Sequence, residues 1–201
     1  MEFFDCVPLP EAVALLTTSL AQVRVGCETV EIGEALGRVA AENLLAREPL
    51  PAFSRSSVDG YAVRSADTFG ASEAVPALFT IIGEVLMGKA AEIEVAPGEA
   101  VIIPTGGMLP SNTDSVVMLE YTEQLDVNTV MVSKAAAPGE NIVWRGEDYE
   151  AGSPIITKGQ RLGPQQLGVL AACGVTAIAV RKKPRVAIIS TGGEVVDICH
   201  A

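Results

Sequence analysis

The chain has 201 residues, of which 49% are hydrophobic, enough to bury a real core in one or two domains and too many for a disordered polymer. Its 25 acidic and 14 basic residues give a net charge of −11, which argues against nucleic acid or an anionic membrane as the main partner, since both require a basic surface. A phosphorylated ligand would have to be met by backbone amides, a metal ion or a small basic cluster.

Cys6, Cys27, Cys173 and Cys199 show no paired spacing and no C-x-x-C, and read as free thiols of a reducing compartment. His200 is the sole histidine, so Ser-His-Asp and Cys-His arrangements lack material and acid–base chemistry falls to carboxylates. Two adjacent residues, Cys199 and His200, make a poor zinc site. No basic segment followed by an apolar one opens the chain. The most apolar run, Gln166 to Arg181, falls short of the ~20 residues that a spanning helix needs and is broken by Gly174. A soluble, cytoplasmic protein is expected.

In chain order, Pro10 to Val23 predicts a helix, with Ala12, Leu15, Leu16, Ser19, Leu20 and Val23 at helical spacing and proline in the first turn. Ile32, Ala35, Leu36 and Val39 predict a second helix over Ile32–Asn43, weakened by Gly33 and Gly37. From Pro49 onward prolines punctuate short β-rich runs, beginning with Tyr61–Val63 after the Asp59-Gly60 turn. Leu78–Ile82, Ala100–Ile103, Ser115–Leu119 and Thr129–Val132 follow, and together they predict a small β-barrel or sandwich ending near Pro138-Gly139. Pro164–Cys173 predicts a helix closed by Gly174, and Val175–Val180 a strand. After the basic linker Arg181-Lys182-Lys183-Pro184, Arg185–Ser190 reads as a buried-type strand. Thr191-Gly192-Gly193 then turns, and Glu194 opens a helix. That is the first unit of an α/β domain; one such strand makes no sheet, so the sequence reads as a fragment.

Four places carry residue types suited to chemistry. Asp59 at a glycine turn could orient water or hold a hard cation, although on its own an ordinary hairpin turn is the plainer reading. The hydroxyl and exposed amides of Thr105-Gly106-Gly107 could face an anion, and equally make a plain turn between strands. Arg145, Glu147 and Asp148 share a glycine-containing loop, for which a solvated salt-bridged loop is the plainer reading. Ser190-Thr191-Gly192 after a buried strand could bind phosphate through turn amides and the following helix N-terminus, although such turns are common.

Taken as strings, Ser57-Val58-Asp59-Gly60-Tyr61-Ala62-Val63-Arg64; Ile103-Pro104-Thr105-Gly106-Gly107 with Asp114–Glu120; Asn141-Ile142 leading into Arg145-Gly146-Glu147-Asp148; and Pro184–Glu194 closely resemble the pattern of the molybdopterin molybdenumtransferases, the family that includes MoeA and the E domain of gephyrin. The resemblance implies insertion of molybdenum from molybdate into adenylated molybdopterin, release of AMP, and a need for Mg2+. It also implies a homodimer whose site lies between the α/β domain of one subunit and the β-domain of the other. On that basis Asp59, Thr105, Asp148 and Glu194 are the catalytic candidates. Ser190, Thr191 and Gly192 are candidates for contact with the pterin or a nucleotide phosphate.

The implied fold class is α+β and multidomain. A discontinuous helical linker and dimerisation domain (1–48 and 143–182) carries an inserted β-barrel-like domain (49–142), and 183–201 open a truncated α/β domain. Gly193 stands where family members usually carry an acid, which gives weight to an alternative: a non-catalytic molybdopterin-binding or scaffold relative of the same fold. A helical dimerisation module carrying a β-domain is the reading that needs no family.

Overall fold

The computed structural model describes residues 7–188, 192, 194–196 and 198–200. Among the described residues there are two α-helices, α1 (Leu9–Leu20) and α2 (Pro164–Ala172). The strands, in chain order, are β1 (Cys27–Glu31), β2 (Leu44–Leu45), β3 (Arg55–Ser56), β4 (Gly60–Val63), β5 (Ala77–Glu84) and β6 (Glu99–Ile103). They continue with β7 (Ser115–Met118), β8 (Thr122–Gln124), β9 (Thr129–Val132), β10 (Ile142–Val143), β11 (Pro154–Ile156) and β12 (Ala177–Arg181). No helix among the described residues is long and apolar enough to cross a membrane.

The chain divides into two compact units, 1–43 with 156–201, and 44–155. The expected boundaries, 48/49 and 142/143, fall inside the second unit. The reason is backbone pairing beyond them: β2 pairs with β11, Ala46 N–H bonds Ser153 O at 2.8 Å, and Leu50 N–H bonds Tyr149 O at 2.7 Å.

The first unit is built on an antiparallel ribbon, β1 against β12, with Cys27 opposite Arg181 and Glu31 opposite Ala177. Ile178 and Val180 alternate into its core, where Leu162 and Leu170 are also buried. The predicted helix over Ile32–Asn43 does not form. Ile32–Glu34 make a single 3-10 turn, and Gly37 then takes φ 74°, a left-handed conformation that helix geometry excludes. Beyond it Gly37 N–H bonds Leu162 O, Ala40 N–H bonds Gln160 O and Ala41 N–H bonds Ala179 O, so tertiary strand-like pairing replaces helix periodicity. This unit is therefore mixed rather than helical.

α1 ends three residues earlier than predicted, where the Arg24 guanidinium donates to Ala21 O at 2.6 Å and closes its last turn. Residues 185–188, expected to begin a buried strand, are exposed and carry no regular structure, as a strand without a paired neighbour must. The rest of that predicted strand, Ile189-Ser190, lies outside the described residues. Glu194 opens no α-helix; Ile198–His200 form a 3-10 turn instead.

The second unit is a six-stranded sheet in the order β7-β4-β6-β5-β9-β8, antiparallel throughout except for β5 against β6. It curls as a half-barrel. Both faces are covered. Tyr61, Val63, Phe79, Val117, Val130 and Val132 pack on one, and Ala62, Val85, Val95, Val101, Ile103 and Val116 on the other. β4 is buried along its whole length, so the run Gly-Tyr-Ala-Val is continuously apolar rather than alternating. Each fully buried Val or Phe in these clusters contributes ~1.5–3 kcal/mol. That packing gives the loops at the ends of β4 and β6 a rigid base.

Candidate functional site

Three of the four sequence motifs converge in the second unit, and β3 is the strip that joins them. On one side β3 pairs with β10, Arg55 opposite Val143 and Ser56 opposite Ile142. On the other, Arg55 bridges Met108, Ser56 N–H bonds Gly107 O at 3.0 Å, and Gly106 N–H bonds Ser56 O at 2.8 Å. Next along the chain, Ser57 N–H bonds Asn141 O at 3.0 Å. Asn141 holds a left-handed φ of 60° and ties its own side chain to Val116 O at 2.8 Å.

Asp59 sits between β3 and β4, and its placement follows from Gly60. A Cβ at Gly60 would lie 1.9 Å from the Val117 carbonyl oxygen, so only glycine lets the chain run this close to β7. The Asp59 carbonyl accepts Leu119 N–H at 3.2 Å. Its carboxylate then reaches the turn after β6, where Oδ1 accepts Thr105 N–H at 2.7 Å and the Thr105 hydroxyl at 3.0 Å. The two leading catalytic candidates are thus in direct contact, and both are exposed.

This contact decides what the Thr105-Gly106-Gly107 turn can do. The Thr105 amide goes to Asp59, the Gly106 amide to Ser56 O and the Gly107 amide to Pro104 O at 2.8 Å. The expectation that these amides face an anion is corrected: all three are engaged inside the protein. The turn holds a carboxylate instead of a phosphate, and Gly106, at φ 83°, gives it the left-handed bend that aims Thr105 at Asp59.

The Thr105 backbone N–H, and after it the Thr105 hydroxyl, hold the Asp59 carboxyl below the ordinary aspartate range; slight desolvation opposes them. Asp59 is therefore ionised at neutral pH. A depressed pKa stabilises the fold above the unfolded value, and that contribution is lost as pH falls through the folded value. In an NMR titration Asp59 is expected to titrate below an ordinary aspartate, and Thr105→Ala to bring it only part of the way back, because the larger donor is the backbone. An unshifted Asp59 in the wild type would contradict the contact.

The third motif lies close in the chain pairing but is held differently from the expected salt-bridged loop. Arg145 Nε donates to Ala52 O at 3.1 Å, its N–H bonds Ser54 Oγ at 3.1 Å, and Glu147 accepts Trp144 N–H at 2.7 Å. Among the described residues no ion pair joins Arg145 to Glu147 or Asp148. Asp148 is exposed, with its N–H on Leu50 O at 3.0 Å, and no hydrogen bond brings it to Asp59 or Thr105. Asp114, in the second motif, is structural: its two oxygens accept Ser65 N–H at 2.6 Å and Ser65 Oγ at 2.7 Å and cap the turn after β4.

Gly192 and Glu194 belong to the first unit. Both are exposed, and Val195 N–H bonds Gly192 O at 3.3 Å. Ser190, Thr191 and Gly193 lie outside the described residues. Sequence reasoning gave no anchoring role to Ser56, beside the first motif, or to Asn141, at the start of the third. Their signals were a serine two residues before a loop amide and an asparagine just after Gly139-Glu140, both of which are turn chemistry.

A family model described as the MoeA N-terminal region, domains I and II, matches residues 7–174. The molybdopterin molybdenumtransferase of Bacillus subtilis (strain 168) is 36% identical over 194 residues, which cover 95% of this chain and 45% of that protein. The protein of that name from Staphylococcus aureus (strain Mu50) is 34% identical over 192 residues, 96% of this chain and 45% of its own length. A crystal structure of the molybdopterin biosynthesis MoeA protein from Pyrococcus horikoshii OT3 superimposes with a TM-score of 0.80 at 37% identity, over 90% of this chain and 47% of the other. The chain thus spans less than half the length of these relatives. With the motifs of Asp59, Thr105 and Asp148 all inside the matched region, the chain belongs to the MoeA N-terminal region family.

Proposed function

We propose that this chain supplies the N-terminal part of an enzyme of molybdenum cofactor biosynthesis, which inserts molybdenum from molybdate into adenylated molybdopterin and releases AMP. The observation that carries the reading is the Asp59–Thr105 contact. It brings together the acid and the hydroxyl of two motifs 46 residues apart, on an exposed turn and without burying either. The sequence likeness to proteins named molybdopterin molybdenumtransferase, over 95% of the chain, supports it.

In that role Thr105 uses only Oδ1 of Asp59, so Oδ2 remains to accept from a water or to meet a cation. The site is anionic and its turn amides are spent, so an anionic substrate needs a positive charge between itself and Asp59. Among the described residues no three acids, cysteines or histidines gather into a metal cage. Magnesium would be held here by the free Asp59 oxygen, with water and substrate phosphate oxygens as its other ligands, since this hard cation is commonly bound by one or two carboxylates and substrate phosphate. When bound, magnesium would neutralise phosphate charge and polarise a phosphoryl oxygen. Thr105 fixes the carboxylate for that task, while its own hydroxyl oxygen can still accept a bond. Asp148 is proposed as a further support for this site, and Glu194 with Ser190, Thr191 and Gly192 as contacts for the pterin or a nucleotide phosphate.

The protein is proposed to work in the cytoplasm as a homodimer. Leu9, Val13, Leu16 and Leu20 form one stripe along α1, each more than half exposed, and α1 buries no residue. A second copy would cover that stripe. Both statements are checked on the full-length protein. AMP should appear from adenylated molybdopterin only when molybdate and magnesium are supplied, and light scattering should give twice the chain mass. AMP release indifferent to molybdate, or a monomer at tens of micromolar, would count against them.

A further inference from the structure

Ser56 is 2% exposed, yet its polar groups serve two loops at once. Its main chain clamps the Thr105 turn, through Gly107 O and Gly106 N–H. Its hydroxyl serves the other loop: Oγ donates to Val58 O at 2.5 Å and accepts Val58 N–H at 3.2 Å. A serine hydroxyl can do both, because it carries one donor and two lone pairs. The Asp59 backbone is fixed on its C-terminal side by Gly60 against Val117 and by Leu119 N–H on Asp59 O. On its N-terminal side the bonds that hold Val58 come from the Ser56 hydroxyl.

We propose that Ser56 is the positioning residue of this site, its hydroxyl setting the Asp59 loop in register with the Thr105 turn that its own backbone holds. This deepens the proposed function and rests on it for the catalytic consequence. Alanine at position 56 keeps both backbone bonds, so the Thr105 turn stays in place while Val58 loses its tether and Asp59 its support on the N-terminal side. Val58 is only half-buried, so water can satisfy its freed N–H and C=O and the sheet persists.

The test compares Ser56→Ala with Ser57→Ala, an exposed neighbour, by amide exchange in this chain and by turnover in the full-length protein. In Ser56→Ala the Thr105 amide is expected to exchange about tenfold faster while the Val101 amide of β6 is unchanged, the signature of local opening. Ser57→Ala should leave both unaltered. Turnover of the full-length Ser56→Ala protein should fall about tenfold with KM for adenylated molybdopterin little changed. Equal acceleration at Thr105 and Val101 would mean that Ser56 only stabilises the fold, and unchanged exchange at Thr105 would mean that it positions nothing; either result overturns the proposal. Loss of Thr105 protection with full turnover, in a protein that Asp59→Asn inactivates, overturns it as well. If Asp59→Asn leaves turnover intact, the proposed reaction site fails, and the exchange data still decide whether Ser56 sets the loop.

Discussion

Gly60→Ala is expected to unfold the second unit at temperatures where the wild type is intact. The added Cβ would stand 1.9 Å from Val117 O and 2.8 Å from Val117 C, both backbone atoms of the strand paired with β4. Neither can swing aside as a side-chain tip could. Relief requires β4 to leave β7, and β4 is buried on both faces between β6 and β7. Overpacking against backbone in such a place costs about 3 kcal/mol or more. For a domain of this size that lowers the melting midpoint by roughly 10 °C or more. Gly168→Ala is the control: nothing lies within 4 Å of a Cβ there, the residue is inside α2, and alanine favours a helix. Equal midpoints for wild type and Gly60→Ala would mean that the close approach of β4 to β7 is wrong.

Asp59→Asn in the full-length protein is expected to do the reverse, removing activity and leaving the fold. Asparagine keeps the shape of aspartate, and its oxygen can still accept both Thr105 bonds. Only the charge is lost, and with it the anionic oxygen that would hold a cation or take a proton from water. Loss of such a group costs about a thousandfold in turnover. Because Asp59 is exposed and the turn depends on Gly60 and Ser56, the melting midpoint should move by no more than about 2 °C. A fall in activity matched by a large fall in midpoint would reduce Asp59 to a former of its turn.

How much of this was legible in the sequence depended on the range of the forces. The turns at Asp59-Gly60 and at Thr105-Gly106-Gly107 are local chemistry, and β9 was read to the residue because its flanks are polar. α1 was read from its early proline and apolar spacing, and α2 from its early proline and the closing Gly174. The segment Ile32–Asn43 was misread because the spacing of Ile32, Ala35, Leu36 and Val39 satisfies a helix, whereas its partners, Leu162, Gln160 and Ala179, lie more than a hundred residues away. β1 was missed for a related reason: Cys-Glu-Thr-Val-Glu buries almost nothing and is fixed by pairing with β12. At the site, the residue types were legible and their contacts were not. Nothing local says that Asp59 consumes the Thr105 amide, that Ser56 consumes the next one, or that Asp148 is held by Leu50 instead. The motif match placed the chemistry in the family, while the hydrogen bonds changed the reading of the glycine turn from anion receptor to carboxylate clamp.

If Asp59 and Thr105 work as one unit, their losses should not add. The decisive measurement is a double-mutant cycle on molybdate-dependent AMP release by the full-length protein, with Asp59→Asn, Thr105→Ala and the pair. Thr105→Ala alone is expected to cost about a hundredfold, and the double variant no more than Asp59→Asn alone, since a threonine with no carboxylate to hold has nothing left to contribute. Losses that multiply, with the double variant about a hundredfold below Asp59→Asn, would contradict a shared role and leave their contact a matter of folding alone.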